Sequence, residues 1–284
     1  MVNRDGSYAA GQLFSLDGKI VMLTGASGFL GRTMVRALLD NGATVLAFGG
    51  SGRVEAQAML LNEKYGPGRV RAYQVDLYDI PAVEKALAQV GAAHPVVDIL
   101  INNAHELGPR TGFNVPQGHL EDATLDGWMR NLTAGVYWAA LTTQRVGSLM
   151  KRCGKGSIVN ISTMYAVVAP TPHLYAGTKF INPPGYSAAK AALLAFTRYT
   201  ASFWGPFGVR ANAILPGPFS NMEENSENSV APDDPFVERL KNRTVLGRVG
   251  RPCELVGALL YLASDASTFT TGQALVVDGG WTIV

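Results

Sequence analysis

Lys19-Ile20-Val21-Met22-Leu23-Thr24-Gly25-Ala26-Ser27-Gly28-Phe29-Leu30-Gly31 decides the fold of this chain. Residues 19–24 read as a short buried strand, the glycines as a tight turn, and the residues to about Asp40 as an amphipathic helix. Glycine at 25, 28 and 31 lets the backbone turn, approach a pyrophosphate and pack the next helix on the sheet. The helix N-terminus adds N–H donors and partial positive charge. The stretch predicts a dinucleotide site made by Gly25, Ser27, Gly28, Phe29, Leu30 and Gly31.

Outward from this stretch the same alternation repeats. Asn41-Gly42 ends the helix, and strands are predicted over 43–48, 70–75, 96–101, 157–161, 209–215 and 274–277. Helical patterns fall between them at 53–64, 80–90, 125–151 (one long helix or two consecutive ones), 188–203 and 254–263. Strands joined through helices favour a parallel sheet covered on both faces. The expected fold is α/β, a doubly wound seven-stranded parallel sheet in a single domain over 16–284, after an N-terminal extension over 1–15. Three segments rich in turn-formers or polar residues, 105–123, 164–185 and 217–245, are expected as substrate loops, with 221–235 as a mobile flap.

A hydrophobic content of 47% with 16% charged residues excludes a disordered chain, and a net charge of +2 carries no nucleic-acid or membrane-surface signature. A small-molecule partner is expected. Cys153 and Cys253, the only cysteines, are too few for a disulfide framework or thiolate metal site and fit a reducing, cytoplasmic location. No secretory signal or membrane span is expected, since residues 1–14 carry Arg4 and Asp5 without a continuous apolar run. The histidines are too scattered for a metal site.

The second strand ends Phe48-Gly49-Gly50-Ser51-Gly52-Arg53, where dinucleotide folds commonly place an acid for the adenosine ribose. Without that carboxylate a 2'-phosphate meets no repulsion, and Ser51 and Arg53 can bind one, which favours NADP(H) over NAD(H). Further on, Tyr186-Ser187-Ala188-Ala189-Lys190 puts a phenol and an ammonium one helical turn apart. An adjacent ammonium favours the phenolate, and such a phenol can exchange protons with an alcohol or carbonyl.

These residues resemble the short-chain dehydrogenase/reductase family, in its compact single-domain branch, over about 16–281. The matching motifs are Thr24-Gly25 with its turn, Val75-Asp76-Leu77, Asn102-Asn103-Ala104, Asn131, the strand from Ile158 to Ser162, Tyr186 with Lys190, Arg210 through Pro216-Gly217, and Val277-Asp278-Gly279-Gly280. The resemblance implies hydride transfer between a nicotinamide and a carbonyl or secondary alcohol, in a homotetramer or homodimer. It implies that Tyr186 is the acid/base, that Lys190 holds the nicotinamide ribose and lowers the phenol pKa, and that Asn131 fixes a water joining Lys190 to solvent. Asp76 and Leu77 are implied near the adenine, Asn102, Asn103 and Ala104 along the cleft, and Pro216, Gly217 and Phe219 toward the nicotinamide.

Three departures set the chain apart. Its glycine spacing resembles the extended, sugar-nucleotide-handling branch. The usual serine pair is Ser162-Thr163, so the carbonyl-polarising hydroxyl falls on Thr163, with Ser162 the alternative. The 23 positions from Thr163 to Tyr186 make a long loop, with His173, Tyr175, Lys179 and Asn182 expected in the substrate wall. Together with His105, Glu106, Arg110, Asn114, Gln117 and His119, these polar residues point to a sugar derivative or keto acid. A sugar-nucleotide epimerase or dehydratase, or a retired cofactor-binding scaffold, are the alternative readings.

Overall fold

A computed structural model describes residues 9–178, 181–221 and 231–284. The chain alternates β1 (Ile20–Thr24), α1 (Phe29–Asp40), β2 (Thr44–Gly49), α2 (Arg53–Tyr65), β3 (Val70–Gln74), α3 (Ile80–Ala93) and β4 (Ile99–Asn102). A long helix over 125–153, α4, leads to β5 (Gly156–Ile161). Then follow α5 (Pro184–Trp204), β6 (Val209–Pro216), α6 (Pro235–Arg243), α7 (Val256–Ala263) and β7 (Ala274–Val277). The seven strands form one parallel sheet in the order β3-β2-β1-β4-β5-β6-β7.

The central strands β1, β2 and β4 are buried on both faces because they are mostly apolar, whereas the edge strands β3 and β7 are partly exposed. Val21 and Leu23 face one way, into a core with Met34, Val35 and Leu38 of α1 and Leu259 and Leu262 of α7. Met22 between them faces the other way, toward Val83 and Leu87 of α3 and Trp138, Leu141 and Met150 of α4. Leu16 is completely buried in the first of these cores. No helix among the described residues is long and apolar enough to cross a membrane.

The strand order reverses between β1 and β4, and the turns after both strands lock together there. Thr24 Oγ1 accepts from the Asn103 and Ala104 amides, each at 3.1 Å, and Asn103 Nδ2 donates to the Thr24 and Gly25 carbonyls at 3.2 and 3.1 Å. A crevice at the carboxyl ends of the strands follows from this switch point.

The structure refines four expected elements. The helix expected over 125–151 is one continuous rod over 125–153 with two π-turns, Thr133–Tyr137 and Thr143–Gly147. Both turns bring a glycine against α5: a Cβ on Gly135 would stand 2.5 Å from Ala189 Cβ, and one on Gly147 would overlap the Trp204 ring. Helix α5 starts at Pro184, ahead of the expected 188, because proline suits the first helical position. The loop over 164–185 contains a short helix, Pro172–Tyr175. Helix α6 was not anticipated, although Asp234-Pro235 carries a start signal: the Asp234 side chain accepts from the Phe236 amide. Most of the expected flap, 222–230, lies outside the described residues.

Candidate active site

A cavity of about 730 Å³ runs along the carboxyl ends of the strands, from the turn after β2 to Tyr186 and Lys190. At one end it is made of backbone. Gly25 has φ +68°, and a Cβ there would meet Ala104 Cα at 2.9 Å, so only glycine lets the two turns close. Gly28 is the N-cap of α1, whose first N–H groups are the anion site that the sequence predicts. Ser27, Phe29 and Leu30 line the cavity with Gly25 and Gly28. Gly31 does not: a Cβ on it would stand 2.1 Å from the Gly25 carbonyl oxygen, so it shapes the turn from behind.

At the end of β2, Ser51 and Arg53 both line the cavity, and Arg53 Nε donates to Ser51 Oγ at 3.3 Å. Asp76 and Leu77 border the same end. Asn103 and Ala104 lie along the middle, while Asn102 requires a correction. Its side chain points into the core, donating to Asn160 Oδ1 at 2.8 Å and accepting from Thr142 Oγ1 at 2.7 Å. It ties β4 to β5 and α4 rather than lining the cleft, because a buried amide needs its donors and acceptor met inside the protein.

The other end is made of side chains. Lys190 is 4% exposed; its Nζ donates to the Ile161 carbonyl at 2.8 Å, and burial pushes its pKa down to about 8. The Tyr186 ring stands one turn earlier on α5. Burial pushes its phenol up, and the Thr163 side chain, its hydrogen-bond partner, opposes that rise. The expected lowering by Lys190 is not among the causes of the shift, and the ammonium is itself buried and spent on a backbone carbonyl. Ser162 Oγ is committed to the Lys190 carbonyl at 3.0 Å, which leaves Thr163 as the hydroxyl beside Tyr186. Pro216, Gly217 and Phe219 close this end of the cavity.

Asn131 does not line the cavity. Its Nδ2 donates to the Thr111 and Gly127 carbonyls, both at 2.8 Å, and its Oδ1 lies buried near His105. Glu106, expected to bind substrate, lines the cavity but is held by Arg130 at 2.8 Å, Tyr78 Oη at 2.5 Å and Arg110 at 3.2 Å. Asn114 accepts from the Ile181 amide. Described residues of the loop over 164–185, with residues from 114–120 and Ser187, Ala188 and Ala191 of α5, line a second cavity of about 1200 Å³. That cavity, rather than the first, is bordered by His119, Tyr175 and Asn182; Lys179 lies outside the described residues.

Several cavity residues carried no readable signal in the sequence. Tyr78 and Trp138 pack edge to face at 4.8 Å and form part of the wall. Trp138 is an ordinary apolar position in a helical pattern until the π-turns fix its direction.

Comparisons with known proteins agree with this geometry. A family model described as enoyl-(acyl carrier protein) reductase matches residues 25–282. The sorbose reductase of Candida albicans is 34% identical over 276 residues, 95% of this chain and 89% of that protein. A 3-alpha-(or 20-beta)-hydroxysteroid dehydrogenase of Mycobacterium tuberculosis is 32% identical over 269 residues, 93% of this chain and 90% of that one. The crystal structure of a putative NAD(P)-dependent gluconate 5-dehydrogenase from Beutenbergia cavernae, with bound NADP at low occupancy, superposes with a TM-score of 0.81 at 31% identity. It covers 96% of this chain and 100% of that one. With the glycine turn, the parallel sheet and the Tyr186–Lys190 pair at one cavity, the chain belongs to the short-chain dehydrogenase/reductase family and is an NAD(P)-dependent oxidoreductase of alcohol and carbonyl groups.

Proposed function

We propose that this enzyme interconverts a secondary alcohol and a ketone on a sugar-derived or keto-acid substrate, with Tyr186 as the acid/base. The observation that carries the reading is the group of buried Thr163, half-buried Tyr186 and buried Lys190 at the end of a cavity that begins on the glycine turn. The cavity fits a dinucleotide, since its walls close only around Gly25 and it opens on the α1 N-terminus. When bound, the nicotinamide supplies or accepts the hydride. In reduction the Thr163 and Tyr186 hydroxyls hold the carbonyl oxygen, and the Tyr186 phenol gives it a proton; in oxidation the same oxygen takes the proton back. Lys190 holds positive charge behind the phenol, and charge fixed in a dry site favours the phenolate as it forms.

The sorbose and gluconate enzymes support the sugar-derived substrate, and the Glu106–Arg110 ion pair at the cavity edge supports a polar one. Ser51 and Arg53 support NADP(H) as the preferred cofactor. The exposed apolar residues Phe269 and Val276 support a homodimer or homotetramer. A cytoplasmic location is the reading of the cysteine usage. Absorbance of the reduced nicotinamide, followed with NADP and NAD separately against ketoses, polyols, keto acids and a hydroxysteroid, tests the whole. Turnover of the steroid alone would overturn the substrate class. In Arg53→Ala, NADP affinity should fall about tenfold with NAD affinity unchanged.

A further inference from the structure

His105 follows Ala104 at the end of β4, and the structure turns its ring inward. The ring meets the Tyr186 ring edge to face, with centroids 4.9 Å apart at 74°, while Phe113 meets the same tyrosine at 5.3 Å and 79°. The phenol ring thus has an edge-to-face partner in each of two rings. Both His105 nitrogens and Asn131 Oδ1 are out of reach of solvent and make no hydrogen bond of full geometry, although the ring lies within reach of the Asn131 side chain and the Ala134 backbone. The polar neighbours of the ring are the Asn131 side chain, the Ala134 backbone and the Lys190 charge, and burial keeps it neutral. In the first π-turn, a Cβ on Gly135 would stand 3.3 Å from His105 Cε1, so α4 leaves the space the ring fills.

Packing alone gives no reason for two nitrogens here, because a phenylalanine would fill the space without burying polar atoms. A neutral imidazole offers one N–H and one acceptor nitrogen. Both Asn131 donor hydrogens go to the Thr111 and Gly127 carbonyls, so its Oδ1 can only accept, and it selects the tautomer whose N–H points to it.

We propose that His105 is a positioning residue for the Tyr186–Lys190 pair: its ring holds the phenol, and its acceptor nitrogen, set by Asn131, takes a hydrogen bond from the lysine side. The inference rests on the reading of Tyr186 as the acid/base. An acceptor at this place steadies the Lys190 ammonium against the burial that drives its proton off. The other titratable groups facing the pair are the Tyr165 and Tyr175 phenols, both pushed up by burial, Tyr165 to about 12, and so neutral throughout the working range.

The test compares His105→Phe, which keeps a ring, with His105→Gln, which keeps an acceptor. In His105→Phe, kcat should fall about tenfold with unchanged KM, and the limb of the pH–rate profile set by Lys190 should move about one unit toward acid. His105→Gln should keep the wild-type limb. A His105→Phe enzyme with wild-type kcat and profile overturns the inference, and so do two variants equally slowed with no shifted limb. Tyr186→Phe is the control: if it still turns over, the reading beneath the inference has failed, whereas a dead Tyr186→Phe beside a normal His105→Phe removes the inference alone.

Discussion

The two ends of the cavity are built from different material. At the glycine turn the wall is backbone: Gly25 at φ +68°, Gly28 at the mouth of α1, and Gly31 pressed against the Gly25 carbonyl. At the far end the wall is side chains: Thr163 and Lys190 are buried, Lys190 on the Ile161 carbonyl, and the half-buried Tyr186 meets the His105 and Phe113 rings. Backbone donors at a helix N-terminus hold an anion whatever reaction follows. Proton transfer needs groups whose pKa values the surroundings have moved, which only burial and neighbouring charge provide. One end should therefore fail through shape and the other through chemistry.

The largest expected effect is at the chemical end. Tyr186→Phe should lower kcat about a thousandfold or more while cofactor affinity, read by fluorescence titration, stays within about twofold. Retained turnover would erase the distinction between the ends. Thr163→Ala should lower kcat about a hundredfold, as the loss of one polarising donor does. Ser162→Ala should lose about 1 kcal/mol of stability, with the smaller kinetic effect, because its hydroxyl is tied to the Lys190 carbonyl. Reversal of that order would move the catalytic role to Ser162.

At the backbone end, Gly31→Ala puts a Cβ 2.1 Å from a carbonyl oxygen. Calorimetry should show about 2–3 kcal/mol of lost stability, and cofactor binding should weaken with it. The smallest effect concerns Lys190, whose pKa is about 8 in the folded protein against 10.5. Its stabilising contribution is full above the unfolded value and is lost as pH falls through about 8, where burying the charged form opposes folding. The melting temperature of Lys190→Met relative to wild type should therefore rise as pH is lowered from 10 to 7. A gap independent of pH would mean that the ammonium is solvated.

Much of this was legible in the chain. The glycine turn could be read because positive φ and close backbone approach admit almost no other residue, and the Tyr186–Lys190 pair because a helix puts positions four apart on one face. Asn102 misled for a physical reason: two adjacent asparagines at a strand end point to opposite faces, and only Asn103 reaches the turn. The long loop after Thr163 was visible as an insertion, but its length does not say that Tyr175 and Asn182 border a second cavity rather than the first. His105 lines the cavity, as its polar neighbours suggest, but nothing local shows that its ring lies edge to face on Tyr186 with both nitrogens out of reach of solvent.

The alternation of strands and helices and the glycine turn could be read from the sequence alone, because each follows from local geometry that few residues satisfy, while the acid/base role of Tyr186 and Lys190 is what the family resemblance implies. Tertiary structure alone decided that the Ser162 hydroxyl is spent on the Lys190 carbonyl, that Glu106 is spent on Arg130, and that His105 and Phe113 each meet the Tyr186 ring edge to face. These depend on contacts between segments far apart in the chain, where burial and competing partners determine what each polar group is free to do.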